Sequence, residues 1–327
     1  MGATGGLFIL PNFIDYDFGE IGDLGSSTQF TVYNYRQTPI TINSVSFATA
    51  SFTTDASFPM TIAPLETGIV NIAYNNSALG PVGDSMEIAS DDLPAGLSVG
   101  LSATGVDGNV LSGNLSGAYP AATYRISGDL TIADGDTAHL QAGTIFLFDG
   151  GVNFNIYGTL KAIGTETDSI VFDNYGDDRW SGFTLENASD ETTFEYVRLS
   201  GAYKYEGGGM ALISSNPTLT HVTISGNTAG VGGGMNLYYS NPTLTNSILW
   251  NNLSESIYLH SEEEPIITYS DIEGGWEGEG NIDADPLFTD PENGDYTLQE
   301  SSPCIDTGNP NLWYQDVDGT VSDMGVT

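Results

Sequence analysis

Apolar and polar residues alternate along most of this chain, and the alternation changes character once. Up to about Val106, short period-two runs are separated by turns. "STQFTVYNY" directs Phe30, Val32 and Tyr33 towards a core, and "PITINSVSF" alternates Ile40 and Ile42, then Val45 and Phe47. "MTIAPLETGIVNIAY" places two strands around a Pro-Leu-Glu-Thr-Gly turn, and "GLSVGLSATG" closes the set. About seven strands at this spacing in about 100 residues predict an antiparallel β-sandwich.

From about Asp107 the period-two pieces continue, but a longer repeat is laid over them. "GGGMALISSNPTLTHVTISGN" starts at Gly207, and "GGGMNLYYSNPTLTNSILWNN" starts 25 residues later at Gly232. "GFTLENASDETTFEYVRLSG", one repeat earlier, falls into the same register. The aligned copies form columns: Gly182, Gly207 and Gly232; Leu185, Met210 and Met235; Phe194, Leu219 and Leu244; Leu199, Ile224 and Leu249. Val197 and Val222 align with Ser247, and "PIITYSDIEGG" continues the columns with its Pro265 23 residues after Pro242. Helical repeats need apolar spacings of three and four; alternating β-branched residues broken by Pro, Gly and Asn predict short strands turning corners. Such coils stack at the strand spacing of ~4.8 Å, so like residues lie over like. Asn216 and Asn241 then stack as an amide ladder at a corner. The less regular stretch from Arg125 to Asn174 reads as earlier coils, giving roughly nine coils in all.

Three segments carry family resemblances. "YDFGEIGDLGSSTQFTVYN", "FPMTIAPLETGIVNIAY", "IASDDL" and "LSATGV" resemble the Hydin-like, "choice-of-anchor D" immunoglobulin-type modules of bacterial surface proteins. Residues 207–252 resemble the right-handed parallel β-helix repeats of the pectin-lyase-like superfamily. "GNIDADPLFTDPENGDYTLQESSPCIDTGNPN" with "DVDGTVSDMG" resembles the "choice-of-anchor Q" ending of secreted bacterial β-helix proteins. The resemblances imply an all-β chain: an immunoglobulin-like β-sandwich over 1–106, then a right-handed parallel β-helix over 107–327, with a cap from about 282 to 327 closing the open end. They further imply a spacer or anchoring role for the first segment, an extracellular or cell-surface setting, and a superfamily that includes polysaccharide lyases and glycoside hydrolases.

Charge narrows the partners. The chain of 327 residues holds 43 Asp and Glu against 6 Lys and Arg, a formal −37. Phosphate backbones are repelled, which excludes nucleic acid, and anionic membranes are poor partners. No apolar run approaches the ~20 residues of a membrane helix. "MGATGGLFIL" lacks the basic region and cleavage site of a signal peptide, which reads as a trimmed start within a longer precursor. Cys304 is the single cysteine, so no internal disulfide forms; flanked by small and apolar residues, it reads as a buried structural thiol.

The candidate chemistry is sparse. Lyases of the superfamily place a basic residue beside acidic calcium ligands on an outward sheet face. Arg198 lies between inward Val197 and Leu199 and so points outward; Lys204, Tyr203 and Tyr205 follow at the next corner, and Trp180 sits one coil earlier. These five form a candidate polysaccharide-binding patch, and Arg198 with Lys204 form the centre of a lyase-like alternative. The competing reading is an ordinary surface ion pair between Arg198 and Glu195. No clustered Asp with companion His appears in coils 182–272, as a hydrolase of this fold needs. In "DVDGTVSD", Asp316, Asp318 and Asp323 surround a Gly turn and suit Ca²⁺ as oxygen ligands; the alternative is a plain Asp-Gly turn. His139, His221 and His260 are too far apart for short zinc motifs and read as solvated positions. Outward Tyr238, Tyr239 and Trp250 add contact surface or corner packing. The sequence therefore predicts a non-catalytic adhesive or scaffolding part of a surface protein. Its partners are polysaccharide or other surface proteins, and a self-assembling filament subunit is a further alternative.

Overall fold

A computed structural model describes residues 7–10, 15–22, 25–75, 79–106 and 108–326. The chain divides into two compact units, residues 1–110 and 111–327.

In the first unit the alternating runs build two four-stranded sheets. One orders its strands Leu7–Leu10, Ser26–Asn34, Thr67–Tyr74 and Phe52–Thr54; the other orders Asp15–Ile21, Leu93–Gly105, Gly80–Ser90 and Ser44–Phe47. Because successive side chains point to opposite faces of a strand, each sheet turns one apolar side to a shared core. Phe30, Val32, Val70 and Ile72 from the first sheet meet Met86, Ile88, Val99 and Leu101 from the second. Tyr33 does not join them and stays half-buried. Asn34 takes the buried end of that strand instead, because its amide is saturated. Nδ2 donates to the carbonyls of Thr38, Ile62 and Ala63, and Oδ1 accepts from the Arg36 amide. The second sheet is not purely antiparallel, since Leu93–Gly105 runs parallel to Asp15–Ile21.

In the second unit the repeat becomes a β-solenoid of three strand columns, here faces A, B and C in chain order. Face A stacks 193–195, 218–220, 243–245 and 266–268; face B stacks 170–174, 197–199, 222–224, 248–250 and 271–272; face C stacks 154–156, 183–186, 210–213, 235–238 and 257–259. All of these pairings are parallel. Phe194, Leu219, Leu244 and Ile267 register over one another on face A. Leu199, Ile224, Leu249 and Ile272 do so on face B. The turn from face A to face B is a single residue held left-handed in each coil: Tyr196, His221, Asn246 and Tyr269, with φ of 48°, 51°, 51° and 49°.

Face C departs from the register read in the sequence. Leu185 pairs with Leu212, and Met210 lies over Phe183. The corner between faces C and A is two residues longer in that coil, so the spacing of 25 fails across it and Gly182 no longer shares a position with Gly207. The buried polar ladder also lies elsewhere. Asn216 Oδ1 accepts from the Asn241 amide at 2.8 Å, a side-chain-to-backbone bond at an exposed corner. The buried amide stack is Asn227 on Asn252, with the Asn227 Nδ2 and backbone N both donating to Asn252 Oδ1. The winding is shorter than length alone predicts, about six turns. After Glu273 the chain leaves the columns. Residues 275–283 lie across the last coil, where Asn281 bonds to Ser270 and Ile267, and the tail then turns back along the outer side of face B. There it buries Thr223, Ile248 and Asp271. Phe288, Cys304 and Met324 pack with Ile248 in a satellite core.

The interior is aromatic in the early coils and aliphatic in the later ones. Phe146, Phe148, Phe154, Phe172 and Phe183 are fully buried, and Trp180 stacks on Phe148 at 4.0 Å. The Trp180 indole N–H donates to the Ser200 carbonyl at 2.9 Å.

Candidate functional site

The outer side of face C carries a groove of about 480 Å³. Its floor is the outward-pointing half of three stacked strands, because every second residue of a strand faces away from the core. Thr184, Ala211 and Asn236 form one outward column, and Glu186, Ile213, Tyr238 and His260 lie beside it. Ala211 leaves a hollow in the middle of the floor where its neighbours carry larger groups. One wall is a two-stranded parallel ribbon, Tyr203–Glu206 with Thr228–Val231, which contributes Lys204 and Glu206.

Asn236 decides the character of the groove. The residue is 94% buried at 6% exposure, yet its Oδ1 has no hydrogen-bond partner in the protein. An unpaired buried polar atom costs about 1–3 kcal/mol, so the floor holds an acceptor closed to solvent whose missing bond a donor seated over it would supply. Lys204 is held beside it by a hydrogen bond from Nζ to Thr184 Oγ1. Burial depresses its ammonium below the usual lysine range. Tyr238 packs edge-on against exposed Tyr239 at 4.6 Å and near His260 at 5.6 Å, giving the groove an aromatic end.

The residues singled out in the sequence do not converge. Trp180 has no exposed surface and belongs to the core, because its large ring fills the space above Phe148. Tyr203 and Tyr205 are exposed on the ribbon, at 59% and 78%. Lys204 lines the groove on face C, but Arg198 lies on face B beneath the tail, so no common basic centre exists. Arg198 pairs with Asp173 at 3.3 Å rather than with Glu195, donates to the Gly294 carbonyl at 3.0 Å, and sits 5.0 Å over the Tyr296 ring. Glu195 has no such cation, and burial raises its pKa.

The three carboxylates of the calcium set lie near one another in the tail, and each accepts backbone hydrogen bonds. Asp316 Oδ2 accepts from the Asp323 amide, Asp323 Oδ1 from the Asp306 amide, and Asp318 Oδ1 from the amide and hydroxyl of Thr320. Asp318 closes a local turn while Asp316 and Asp323 tie separate stretches of the tail together, and among the described residues no group of three or more His, Cys, Asp or Glu could hold a metal ion. Burial and the neighbouring Asp323 and Glu166 push Asp316 up to about 7. His221 is buried rather than solvated. It stacks on Tyr196 at 4.4 Å and its Nε2 lies 3.1 Å from Asn246 Nδ2; burial lowers its pKa to about 4. His139 and His260 are exposed.

Residues 161–278 match the family described as right handed beta helix region. The solenoid is a right-handed parallel β-helix. None of the curated proteins matches the chain. Among solved structures, a protein of unknown function from Porphyromonas gingivalis W83 is similar at 14% identity and a TM-score of 0.27, over 30% of this chain and 46% of that one. The VesB protease of Vibrio cholerae is similar at 16% identity and 0.25, over 30% and 32%. PapD-like domain 7 of human CEP192 is similar at 12% and 0.27, over 32% and 89%. The chain thus spans less than half the length of the first two, and none of the three bears on what the β-helix groove binds.

Asn236, Ala211 and Thr184 are groove residues that sequence reasoning missed. The signal available was the pair "MALI" and "MNLY", 25 residues apart, where a small and then an amide residue stand outward between two inward apolar ones.

Proposed function

We propose that this chain is a non-catalytic binding and scaffolding module of an extracellular or cell-surface protein. Its β-helix holds an extended, uncharged saccharide against the outer side of face C. The observation that carries the reading is the unpaired Asn236 Oδ1 on the floor of a groove walled by Lys204 and Glu206 and ended by Tyr238. Saccharides present hydroxyl donors for such an acceptor and C–H faces for tyrosine rings. The formal charge of −37 argues against a polyanionic chain. Separation of Arg198 from Lys204 removes the pair on which a lyase-like reaction would centre. On this reading the N-terminal sheets act as a spacer of immunoglobulin type.

Binding of the purified chain to cello- and chitin-oligosaccharides and to polygalacturonate tests the proposal. A neutral oligosaccharide is expected to bind, and Ala211→Trp, which fills the hollow, weakens it by about tenfold or more. Absence of binding to every neutral oligosaccharide, or ligand-induced hydrogen-exchange protection of 210–213 and 235–238 that survives Ala211→Trp, overturns it. Release of shortened or unsaturated products from any of these polymers overturns the non-catalytic part alone.

A further inference from the structure

The tail encloses a second polar cleft, remote in character from the groove on face C. Two cavities of about 300 and 290 Å³ meet there, sharing Asn251 and Pro291 in their linings. Their inner wall is an outward column of face B, in which Asp173, Ser200, Ser225 and Trp250 follow one another coil by coil. Their outer wall is the stretch 285–299 of the tail. Each cavity has room for several water molecules, far more than a packing defect.

Two hydroxyls on this wall are buried without completed bonds. Ser225, 1% exposed, lines the second cavity and its Oγ has no hydrogen-bond partner in the protein. Ser200, 2% exposed, lines the first, and its Oγ faces the Tyr296 hydroxyl without good hydrogen-bond geometry. Adjacent coils place the two hydroxyls ~4.8 Å apart along the wall. Around them stand donors and acceptors of both signs. Arg198 is paired with Asp173. Arg179 donates through Nη1 only to neutral oxygens, the carbonyls of Ala202 and Gly226 and the hydroxyl of Thr228, and forms no ion pair among the described residues. Glu292 and the Asn251 amide complete the rim, and Trp250 supplies a partly buried indole face at the far end.

The geometry points to a second binding site, between face B and the tail, for a single uncharged sugar ring. Paired carboxylate and guanidinium groups beside an amide match the vicinal hydroxyls of a pyranose, which donate and accept at once. The opposite charges of the rim offset each other, which disfavours an anion or a cation and suits a neutral polyol. The indole provides the surface on which the C–H face of the ring rests. The ring belongs either to a free monosaccharide or to the end of a glycan chain; both present the same hydroxyl pattern.

Ligand-observed saturation-transfer NMR and calorimetry on the whole chain test this. The probes are glucose, galactose, mannose and N-acetylglucosamine with their methyl glycosides, glucuronic acid as the anionic control, and a trisaccharide of whichever sugar binds. At least one neutral probe is expected to bind saturably, and the glucuronate not. Ser225→Val is expected to lower that affinity by about tenfold while leaving the protein at least as thermally stable, since it removes an unpaired hydroxyl. Asn251→Gly, which keeps the left-handed backbone at φ 56°, should lower affinity as well and guards against a folding defect in the first variant. Ala211→Trp on face C should leave it unchanged. Tighter binding of the trisaccharide by the Ala211→Trp variant, whose face C groove is filled, identifies a glycan terminus as the occupant; equal binding identifies the free sugar. The inference is overturned when no neutral probe binds, when Ser225→Val and Asn251→Gly bind as well as the parent, or when Ala211→Trp abolishes binding.

Discussion

Asn246 connects the winding to the tail through three bonds and to the coil below through a fourth, and its side chain leaves no polar atom idle. Its Nδ2 reaches His221 Nε2 and donates to Ser322 Oγ, its Oδ1 accepts from the Asn309 amide, and its carbonyl accepts from Gly325. Asn246→Ala strands those buried partners in a left-handed position, and a loss of about 2–4 kcal/mol in unfolding free energy is expected by denaturant titration. The ionisable neighbours pull in opposite directions with pH. His221 is held to about 4, below its unfolded value of 6.5, so its contribution is full above 6.5 and is lost as pH falls towards 4. Asp271 at about 6 and Asp316 at about 7 are raised above the carboxylate value of 3.8, and Asp323 is raised too. For these the folded state binds protons more tightly, so stability grows as pH falls from about 7 towards 4 and is lost as pH rises through 7. Three groups outweigh one, and the melting temperature is expected to rise between pH 8 and pH 5. Asp316→Asn should raise the melting temperature at pH 8 and flatten the slope; an unchanged slope would contradict the role given to this cluster.

At the level of strands and corners, the repeat of 25 residues made faces A and B readable. Leu219 beneath Leu244 follows directly from "NPTLT" written twice. Face C was misread in one coil because two extra residues sit in a corner, and a spacing argument has no means of detecting an insertion whose flanks still alternate. Trp180 joins the candidate patch by its place one coil before Arg198, but it lies at an isolated bridge outside the strands, where alternation does not tell which way the ring points. The environment of Arg198 was illegible for a different reason: its cover, Gly294 and Tyr296, lies nearly a hundred residues away in sequence. The groove residue Asn236 was hidden because lack of a partner is a property of three-dimensional neighbours and not of residue type. Arg198 is the pin that holds the stretch 291–296 to face B. Arg198→Ala is expected to speed hydrogen exchange in 291–296 while amides of 218–225 stay protected, as measured by mass spectrometry. Equal acceleration in both segments would mean that the tail and the coils open as one unit.

At the scale of the whole chain, the formal −37 leaves few cations to offset it. Arg36–Asp92, Arg125–Asp149 and Arg198–Asp173 are the ion pairs among the described residues. Salt shortens the reach of the remaining repulsion to about 8 Å at physiological strength, so the melting temperature should climb with added sodium chloride. A fall would contradict a surface dominated by like charge. The same excess of acid fits a groove whose occupant carries no charge, with an amide, a tyrosine and a lysine whose charged form burial disfavours as its contacts. Hydrogen exchange of the intact chain, with and without a saturating neutral oligosaccharide, tests that assignment most directly. Protection of 184–186, 203–213, 235–238 and 257–260 is the predicted result; no protection, or protection only on faces A and B, contradicts it.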